Sequence, residues 1–319
     1  MIYKINGDSI NNAYALDGDS IGTAYDIDGT VAWTSRPPHA VSDNYTVSLL
    51  YDIPDIVSGT QGIACDSLSQ EIAQLYSGKI ITIDLSDGSY TQRASSFNLG
   101  HGSTGQFAPQ KASQADLYPP LYVSTQSEQS INDTIYAIFT EVMVGESSST
   151  MSKVFYVPFD GSAVGNGYTL FAFDFANDIV YSVYFSGYYT TTGTGKVKVY
   201  SLNDFTAFAD GSYAPVPTNG YWVAGNPTET YDIDFIPEVQ AITFFDGLIA
   251  CLCDYPHNNG KVIFLDTEYH DVYLVLDNLT VPFEREGIGF ILNPNTNKYD
   301  MILSRRSTGV NEYYRYQFS

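Results

Sequence analysis

Short runs of β-branched and aromatic residues, separated by Gly, Asn, Asp or Pro, follow one another along almost the whole chain. Val, Ile, Thr, Tyr and Phe favour the pleated, half-buried surface of a strand, and the residues between the runs are those of tight turns. Helical periodicity is nearly absent. The pattern therefore predicts an all-β fold.

From about residue 47 to residue 319 the runs group into threes, and the group recurs five times. The five groups begin at Gly62, Thr104, Thr169, Gln240 and Glu286. Small sheets of antiparallel strands repeated in this way build a radial β-propeller, and we expect five blades rather than six. The inner strands of the blades should include Ile63, Phe107, Phe173, Ile242 and Ile288. A strand over residues 47–52 should pair with the last strand and close the ring.

The first forty residues contain a shorter repeated motif. INGDSI from Ile5, LDGDSI from Leu16 and IDGTVA from Ile27 each place an Asn-Gly or Asp-Gly turn between apolar residues. Such turns make tight hairpins, but three hairpins are too small to bury a core alone. We therefore expect residues 1–36 to form a hairpin module that mediates assembly, followed by a linker over residues 37–46.

The charge balance excludes one class of partner. The 319 residues include 14 Lys and Arg against 36 Asp and Glu, a net charge of −22, so the chain has little with which to neutralise a nucleic-acid backbone. With 44% hydrophobic residues the chain should fold rather than stay disordered. We expect no signal peptide, because the acidic opening of residues 1–29 has no apolar core of the required length. We expect no membrane insertion, because every apolar run is far shorter than the ~20 residues that span a bilayer.

Catalytic candidates are the acidic residues beside the inner strands: Asp66, Asp174, Asp246 and Glu286. Two carboxylates about 5–10 Å apart can act as acid and base on a glycosidic bond. Asp at a strand end is also ordinary turn chemistry, and we favour that interpretation. No nucleophile elbow, phosphate-binding loop or metal-ligand spacing is found, so no cofactor and no metal are expected.

Candidate ligand-binding residues lie in Gly- and Thr-rich insertions of the third group and in one glycine-flanked turn. They are Tyr188, Tyr189, Tyr221, Trp222 and His101. Aromatic side chains offer flat apolar faces on which sugar rings stack. The alternative is that the tyrosines cover blade edges and that the histidine is a hydrogen-bonded loop residue. An anionic ligand would instead favour the basic residues of the last group, Arg285, Lys298, Arg305, Arg306 and Arg315.

Two stretches resemble known proteins. NAYALDGDSIGTAYDIDGT from Asn12 is similar to the short N-terminal repeats of virion-associated proteins from phages of Gram-positive gut bacteria. LGHGSTGQFAP from Leu99, with YPPLYVST from Tyr118, looks like a blade of the propeller domains in phage tail proteins and related gut-bacterial proteins. The resemblance implies a virion appendage with an N-terminal attachment module and a propeller that faces the host.

The leading hypothesis from the sequence is a non-enzymatic virion protein, such as a tail fibre, baseplate or decoration component, that binds a host cell-surface glycan. Its expected partners are other virion proteins, bound through residues 1–36, and further copies of itself in a homo-oligomer. One alternative is a glycan-cleaving propeller enzyme that uses carboxylates at the channel mouth. A purely structural virion protein is the second alternative.

Overall fold

The computed structural model describes residues 23–25, 31–34, 39–54, 61–76, 79–95, 97, 99, 104–161, 167–187, 192–253, 260–277, 279, 285–307 and 310–319. The chain divides into two compact units, residues 1–40 and 41–319. In the first unit, β1 (Thr23–Tyr25) pairs antiparallel with β2 (Val31–Thr34). In the sequence, Asp28-Gly29 of the third repeat lies between these strands. The first two repeats lie outside the described residues.

The second unit is all-β, and its strands form arrays of four. The first strand, β3 (Tyr45–Pro54), belongs to the last array. Sheet 1 contains β4 (Ile63–Asp66), β5 (Glu71–Tyr76), β6 (Lys79–Asp84) and β7 (Tyr90–Ser95). Sheet 2 contains β8 (Thr104–Phe107), β9 (Leu121–Ile131), β10 (Thr134–Val144) and β11 (Ser148–Pro158). A two-residue parallel bridge between β7 and β11 joins these two arrays into one continuous sheet, of which sheets 1 and 2 are the two halves.

The remaining arrays follow in chain order, except that the segment between the third and fourth strands of sheet 3 leaves that sheet and contributes strands to sheet 2. We call this segment the excursion. Sheet 3 contains β12 (Tyr168–Asp174), β13 (Ile179–Phe185), β14 (Gly195–Ser201) and, after the excursion, β17 (Glu229–Ile233). The excursion adds β15 (Thr206–Ala207) and β16 (Tyr221–Val223) to sheet 2, where β16 pairs parallel with β11. Sheet 4 contains β18 (Val239–Phe245), β19 (Leu248–Cys253), β20 (Lys261–Asp266) and β21 (Val272–Leu276). Sheet 5 contains β22 (Arg285–Asn293), β23 (Lys298–Ser307), β24 (Val310–Phe318) and β3.

The first strands of the five sheets lie against one another in order. β4 contacts β8, β8 contacts β12, β12 contacts β18, β18 contacts β22, and β22 returns to β4. At the return contact the strands approach closely: a Cβ on Gly287 would lie 2.6 Å from the Ile63 nitrogen, and one on Gly289 would lie 2.7 Å from the Cys65 sulfur. All five residues expected on inner strands, from Ile63 to Ile288, lie on these first strands.

One side chain ties three of the first strands together. The Gln106 amide on β8 donates to the Phe173 carbonyl at 2.6 Å, and its oxygen accepts from the backbone N–H groups of Phe173 and Phe244. These two residues belong to β12 and β18. The Gln106 side chain therefore extends across the space between β8, β12 and β18.

The two ends of the second unit meet in sheet 5. β3 pairs antiparallel with β24, with Tyr45 opposite Phe318, as the expected closure requires. The unit begins earlier than expected, however. Val41 is 2% exposed and lies in the same buried cluster as Tyr316 and Phe318, so the stretch assigned to a linker already contributes to the core. In the described part of the chain, no helix is long and apolar enough to cross a bilayer.

Candidate ligand-binding cleft

A cleft of about 340 Å³ opens between sheets 2 and 3. It is lined by Tyr122, Lys153, Phe155, Phe175, Asp178, Leu202, Asn203, Phe205 and Trp222. Sheet 2 supplies one wall through β9, β11 and β16. Sheet 3 supplies the other through the β12–β13 turn and the segment after β14. The cleft is thus made where the excursion from sheet 3 crosses to sheet 2.

The register of sheet 2 lines up a polar row on this wall. Glu141 on β10 lies opposite Tyr122 on β9 and opposite Lys153 on β11. Directly opposed residues on neighbouring strands have adjacent side chains on one face of the sheet. Accordingly, the Glu141 carboxylate accepts from the Tyr122 hydroxyl at 2.6 Å and from the Lys153 ammonium at 3.0 Å.

A β-bulge adds a third donor to the same carboxylate. Beyond the pair of Glu141 and Lys153 the register slips, and the next pair is Val142 with Met151. Ser152 is the extra residue, and its hydroxyl donates to Glu141 at 2.7 Å. Bulges reorient side chains in this way. Glu141, whose side chain is 7% exposed, therefore lies behind Lys153, whose side chain is 30% exposed.

Burial sets the protonation state of the tyrosine in this row. Burial, with the neighbouring Glu141 carboxylate as the second cause, raises the pKa of Tyr122 well above its usual value. A hydroxyl that keeps its proton can donate to a carboxylate. Tyr122 therefore serves as a fixed donor to Glu141, while its ring forms part of the cleft wall.

An aromatic row lies beside the polar one. Phe139 on β10 stands opposite Phe155 on β11, with ring centroids 4.5 Å apart, and Phe155 stands opposite Trp222 on β16. The Trp222 indole N–H donates to the Asn219 carbonyl at 3.0 Å. That bond fixes the half-buried indole ring as a flat apolar surface at the cleft.

The opposite wall is held by short turns. Phe175 and Asp178 belong to the β12–β13 turn, in which Asp178 adopts φ +56°. The carbonyl of Asp178 accepts from the Leu202 N–H at 2.7 Å, which binds the turn to the short 3₁₀ helix Leu202–Asp204. Asn203 lies in that helix. This wall therefore offers an aromatic ring, an exposed carboxylate and an exposed amide.

The structure separates the two neighbouring aromatics that the sequence indicated. Trp222 lines the cleft, whereas Tyr221 faces the other side of the strand, since successive residues of a strand point to opposite faces. There the Tyr221 hydroxyl donates to the Tyr213 carbonyl at 2.8 Å and its ring packs near Tyr156. The other three candidates lie outside the described residues: His101, Tyr188 and Tyr189.

Three of the acidic candidates lie in turns at the ends of first strands. Asp66 accepts from the Leu68 and Ser69 N–H groups, and Asp174 accepts from the Ala176 N–H and the Asn177 amide. Asp246 has φ +52° in the Asp-Gly turn that joins β18 to β19. These contacts are those of Asx and tight hairpin turns.

Glu286 lies at the other end of the first-strand layer. β22 runs alongside β4 in the same direction, with Gly287 near Ile63 and the Leu292 N–H donating to the Ser67 hydroxyl. Glu286 is therefore four residues, or about 13 Å of strand, from the level of Asp66. In the part of the chain that the structure describes, no group of three or more His, Cys, Asp or Glu residues could hold a metal ion.

Most of the cleft was not identified from the sequence. Tyr122, Lys153, Phe175 and Asp178 were not among the candidate residues. The alternation Lys-Val-Phe-Tyr on β11 signals that Lys153 and Phe155 share a face. Nothing local in the sequence, however, indicates the excursion that brings Trp222 beside them.

The comparisons with known proteins bear on the fold. No protein-family model and no curated protein matches the sequence. Among solved structures, the tail fiber of Staphylococcus aureus phage P68 matches with a TM-score of 0.50 at 12% identity over 86% of this chain. A chain of the Mitotic Checkpoint Complex matches over 90% of this chain and 97% of its own length, at 7% identity and a TM-score of 0.41. This chain spans 53% of the staphylococcal fibre, and the likeness to that fibre is one of fold.

Proposed function

We propose that this protein is a non-enzymatic component of a phage virion appendage, and that it binds a host cell-surface glycan in the cleft between sheets 2 and 3. The observation that carries the proposal is the cleft itself, where the Trp222 and Phe175 rings lie beside fixed polar groups. Flat aromatic faces with a few placed donors and acceptors suit a sugar ring.

The architecture supports an appendage that presents a rigid face. Five four-stranded arrays with their first strands in cyclic contact fit a five-bladed β-propeller, with β3 closing the last blade. The staphylococcal tail fibre supports the assignment to a virion, and the resemblance of the N-terminal repeats favours a phage of Gram-positive gut bacteria. Residues 1–36 then join other virion proteins or further copies of the chain.

The turn contacts of the acidic residues favour binding over cleavage. Asp66 and Asp174 direct their carboxylates at backbone N–H groups of their own turns, and Glu286 lies at the other end of the layer. A hydrolase needs two carboxylates that face one sugar. The cleft instead places its buried carboxylate, Glu141, behind three donors.

The test is binding of the purified chain to cell walls from a panel of Gram-positive gut bacteria. Trp222→Ala should weaken binding by about tenfold to one-hundredfold, as expected for a central aromatic anchor. The matched control is Tyr90→Ala, which removes a 44% exposed aromatic on sheet 1, away from the cleft, and should leave binding unchanged.

Two results would overturn the proposal. Full wall binding by Trp222→Ala would place the site elsewhere, and failure of the wild-type chain to bind any wall would favour a purely structural virion protein. Treating the walls with periodate, which cleaves sugar diols, should abolish binding. Release of new reducing ends by the wild-type chain would assign it to a glycan-cleaving enzyme instead.

A further inference from the structure

The charged groups at the cleft are arranged as one donor wall and one acceptor wall. On sheet 2, the Lys153 ammonium is the exposed member of a pair whose carboxylate, Glu141, is buried behind it. On sheet 3, Asp178 is exposed at the β12–β13 turn. An ammonium carries three donors, and its bond to Glu141 uses one of them. Lys153 can therefore still donate into the cleft.

The net charge around the cleft opposes an anionic ligand. Lys153 is neutralised by Glu141 at 3.0 Å, which leaves the carboxylate of Asp178 uncompensated within the lining. The whole chain carries −22. A phosphate or uronate bound against Trp222 would therefore face a repulsive field and only a neutralised cation.

Two of the arginines in sheet 5 are already paired with carboxylates. The Arg305 guanidinium lies 2.7 Å from Glu312, and the Arg315 guanidinium lies 3.3 Å from Asp300. Both arginines are thus neutralised by carboxylates on neighbouring strands. An anionic polymer would have to displace these pairs to bind at Arg305 or Arg315.

Sugar hydroxyls both donate and accept hydrogen bonds, so an uncharged sugar matches a cleft with donors on one wall and acceptors on the other. Resting on the proposed function, we propose that the cleft selects uncharged sugar residues. Lys153 donates to a sugar oxygen, Asp178 accepts from a sugar hydroxyl and excludes anionic rings, and Trp222 and Phe175 contact the apolar faces.

The test uses the full chain and a printed panel of neutral oligosaccharides of glucose, galactose, mannose and N-acetylhexosamines, each beside the same backbone carrying a carboxylate or a phosphate. Neutral members should bind at least about tenfold more tightly than their anionic counterparts. Their binding should change less than about twofold between about 0.05 M and about 0.5 M salt.

Two variants assign the selectivity to the two walls. Lys153→Met should weaken binding of the neutral members by about tenfold, and Lys153→Arg, which keeps the charge beside Glu141, should retain most of it. Asp178→Asn should reduce the discrimination against anionic members. This exposed variant is not expected to disturb folding, because Asn tolerates a positive φ as well as Asp does.

The outcomes separate this inference from the proposed function. Tighter binding of anionic members, lost in Lys153→Met, would overturn the inference while leaving a glycan receptor in place. Unchanged discrimination in Asp178→Asn would remove the role assigned to that wall. Binding of no member by the wild-type chain, together with no binding to cell walls, would overturn the proposed function itself.

Discussion

The junction between sheets 5 and 1 and the junction between sheets 2 and 3 are both formed by strands of neighbouring arrays, yet they are filled differently. The first is packed with aliphatic side chains, among them Ile63, Ile72 and Ile302, each fully buried. Hydrogen bonds also cross this junction: the Tyr313 hydroxyl donates to the Gln74 amide oxygen at 2.7 Å. The second is aromatic and leaves a cleft.

The difference follows from side-chain shape and from backbone approach. Glycines on β22 let the backbones of sheets 5 and 1 come together, and branched aliphatic residues fill the remaining space at high density. At the junction between sheets 2 and 3, large rings such as Phe175 and Trp222 pack less closely, and the space left between them is the cleft. We therefore expect the junction between sheets 5 and 1, which we call the closing junction, to determine stability. We expect the junction between sheets 2 and 3 to determine binding.

The largest expected effect is on the closing junction. Ile302→Ala removes a fully buried aliphatic side chain on β23 and should lower the free energy of unfolding by about 2–5 kcal/mol. Urea denaturation measures this change, and cell-wall binding of the folded fraction should be unaffected. The control is Leu49→Ala, 49% exposed on β3, for which a change within about 0.5 kcal/mol is expected. Equal losses for the two variants would contradict the assignment.

A smaller effect is expected where the backbones approach each other. In Gly287→Ala the new Cβ would lie 2.6 Å from the Ile63 nitrogen and 3.0 Å from the Gly62 carbonyl carbon, so β22 and β4 must separate. Overpacking of this kind should cost about 1–3 kcal/mol in unfolding free energy. Gly225→Ala is the matched control, because its Cβ would meet the Asp204 oxygen at an ordinary 3.5 Å. A neutral Gly287→Ala would show that the two strands are more loosely packed.

The sequence predicted the periodic parts of the molecule better than the excursions. The all-β class was predicted from strand and turn residues alone, and the first strands were located because their apolar runs are bounded by turn signals. Outer strands such as β7 and β17 were missed, since their residues are largely exposed and carry little apolar pattern. The cleft was missed for another reason. The pairing of β16 with β11 brings together residues more than sixty positions apart, and no local pattern encodes that register.

The wall of the cleft should be sensitive to alkaline pH. On β11 Phe155 faces the cleft and Tyr156 faces away, where its hydroxyl donates to the Gln129 amide oxygen and accepts from the Ser212 N–H. Burial, with the nearby Tyr221 as a further cause, raises the pKa of Tyr156 to about 12. An unfolded-state tyrosine titrates near about pH 10. The stabilisation is therefore complete below about pH 10 and is lost as the pH rises towards about 12.

Tyr156→Phe tests that sign. The substitution should cost about 1 kcal/mol at about pH 8. At about pH 11 the wild-type chain, which alone carries the titrating group, is about 1.4 kcal/mol less stable, so the cost should vanish or turn into a small gain. Urea denaturation at both pH values measures the difference. Phe155→Leu on the same strand provides the control, since it removes no titrating group and its cost should be the same at both pH values. A Tyr156→Phe cost that is constant with pH would contradict the raised pKa.

The smallest expected effect on stability is at the polar row of Tyr122, Glu141 and Lys153 in the cleft wall. Tyr122→Phe keeps the ring in the cleft wall but removes the hydroxyl that donates to Glu141 at 2.6 Å, while Ser152 and Lys153 still donate to that carboxylate. Because two of its three donors remain, the expected loss is about 0.5–1.5 kcal/mol of unfolding free energy. Tyr90→Phe, at an exposed tyrosine on sheet 1, should cost less than about 0.5 kcal/mol in the same urea titration.

Tyr122→Phe should have little effect on binding. Since the ring and the Lys153 ammonium both stay in place, binding of neutral oligosaccharides should fall by no more than about threefold. A larger loss of binding with unchanged stability would mean that the Tyr122 hydroxyl, and not only its ring, contacts the ligand directly.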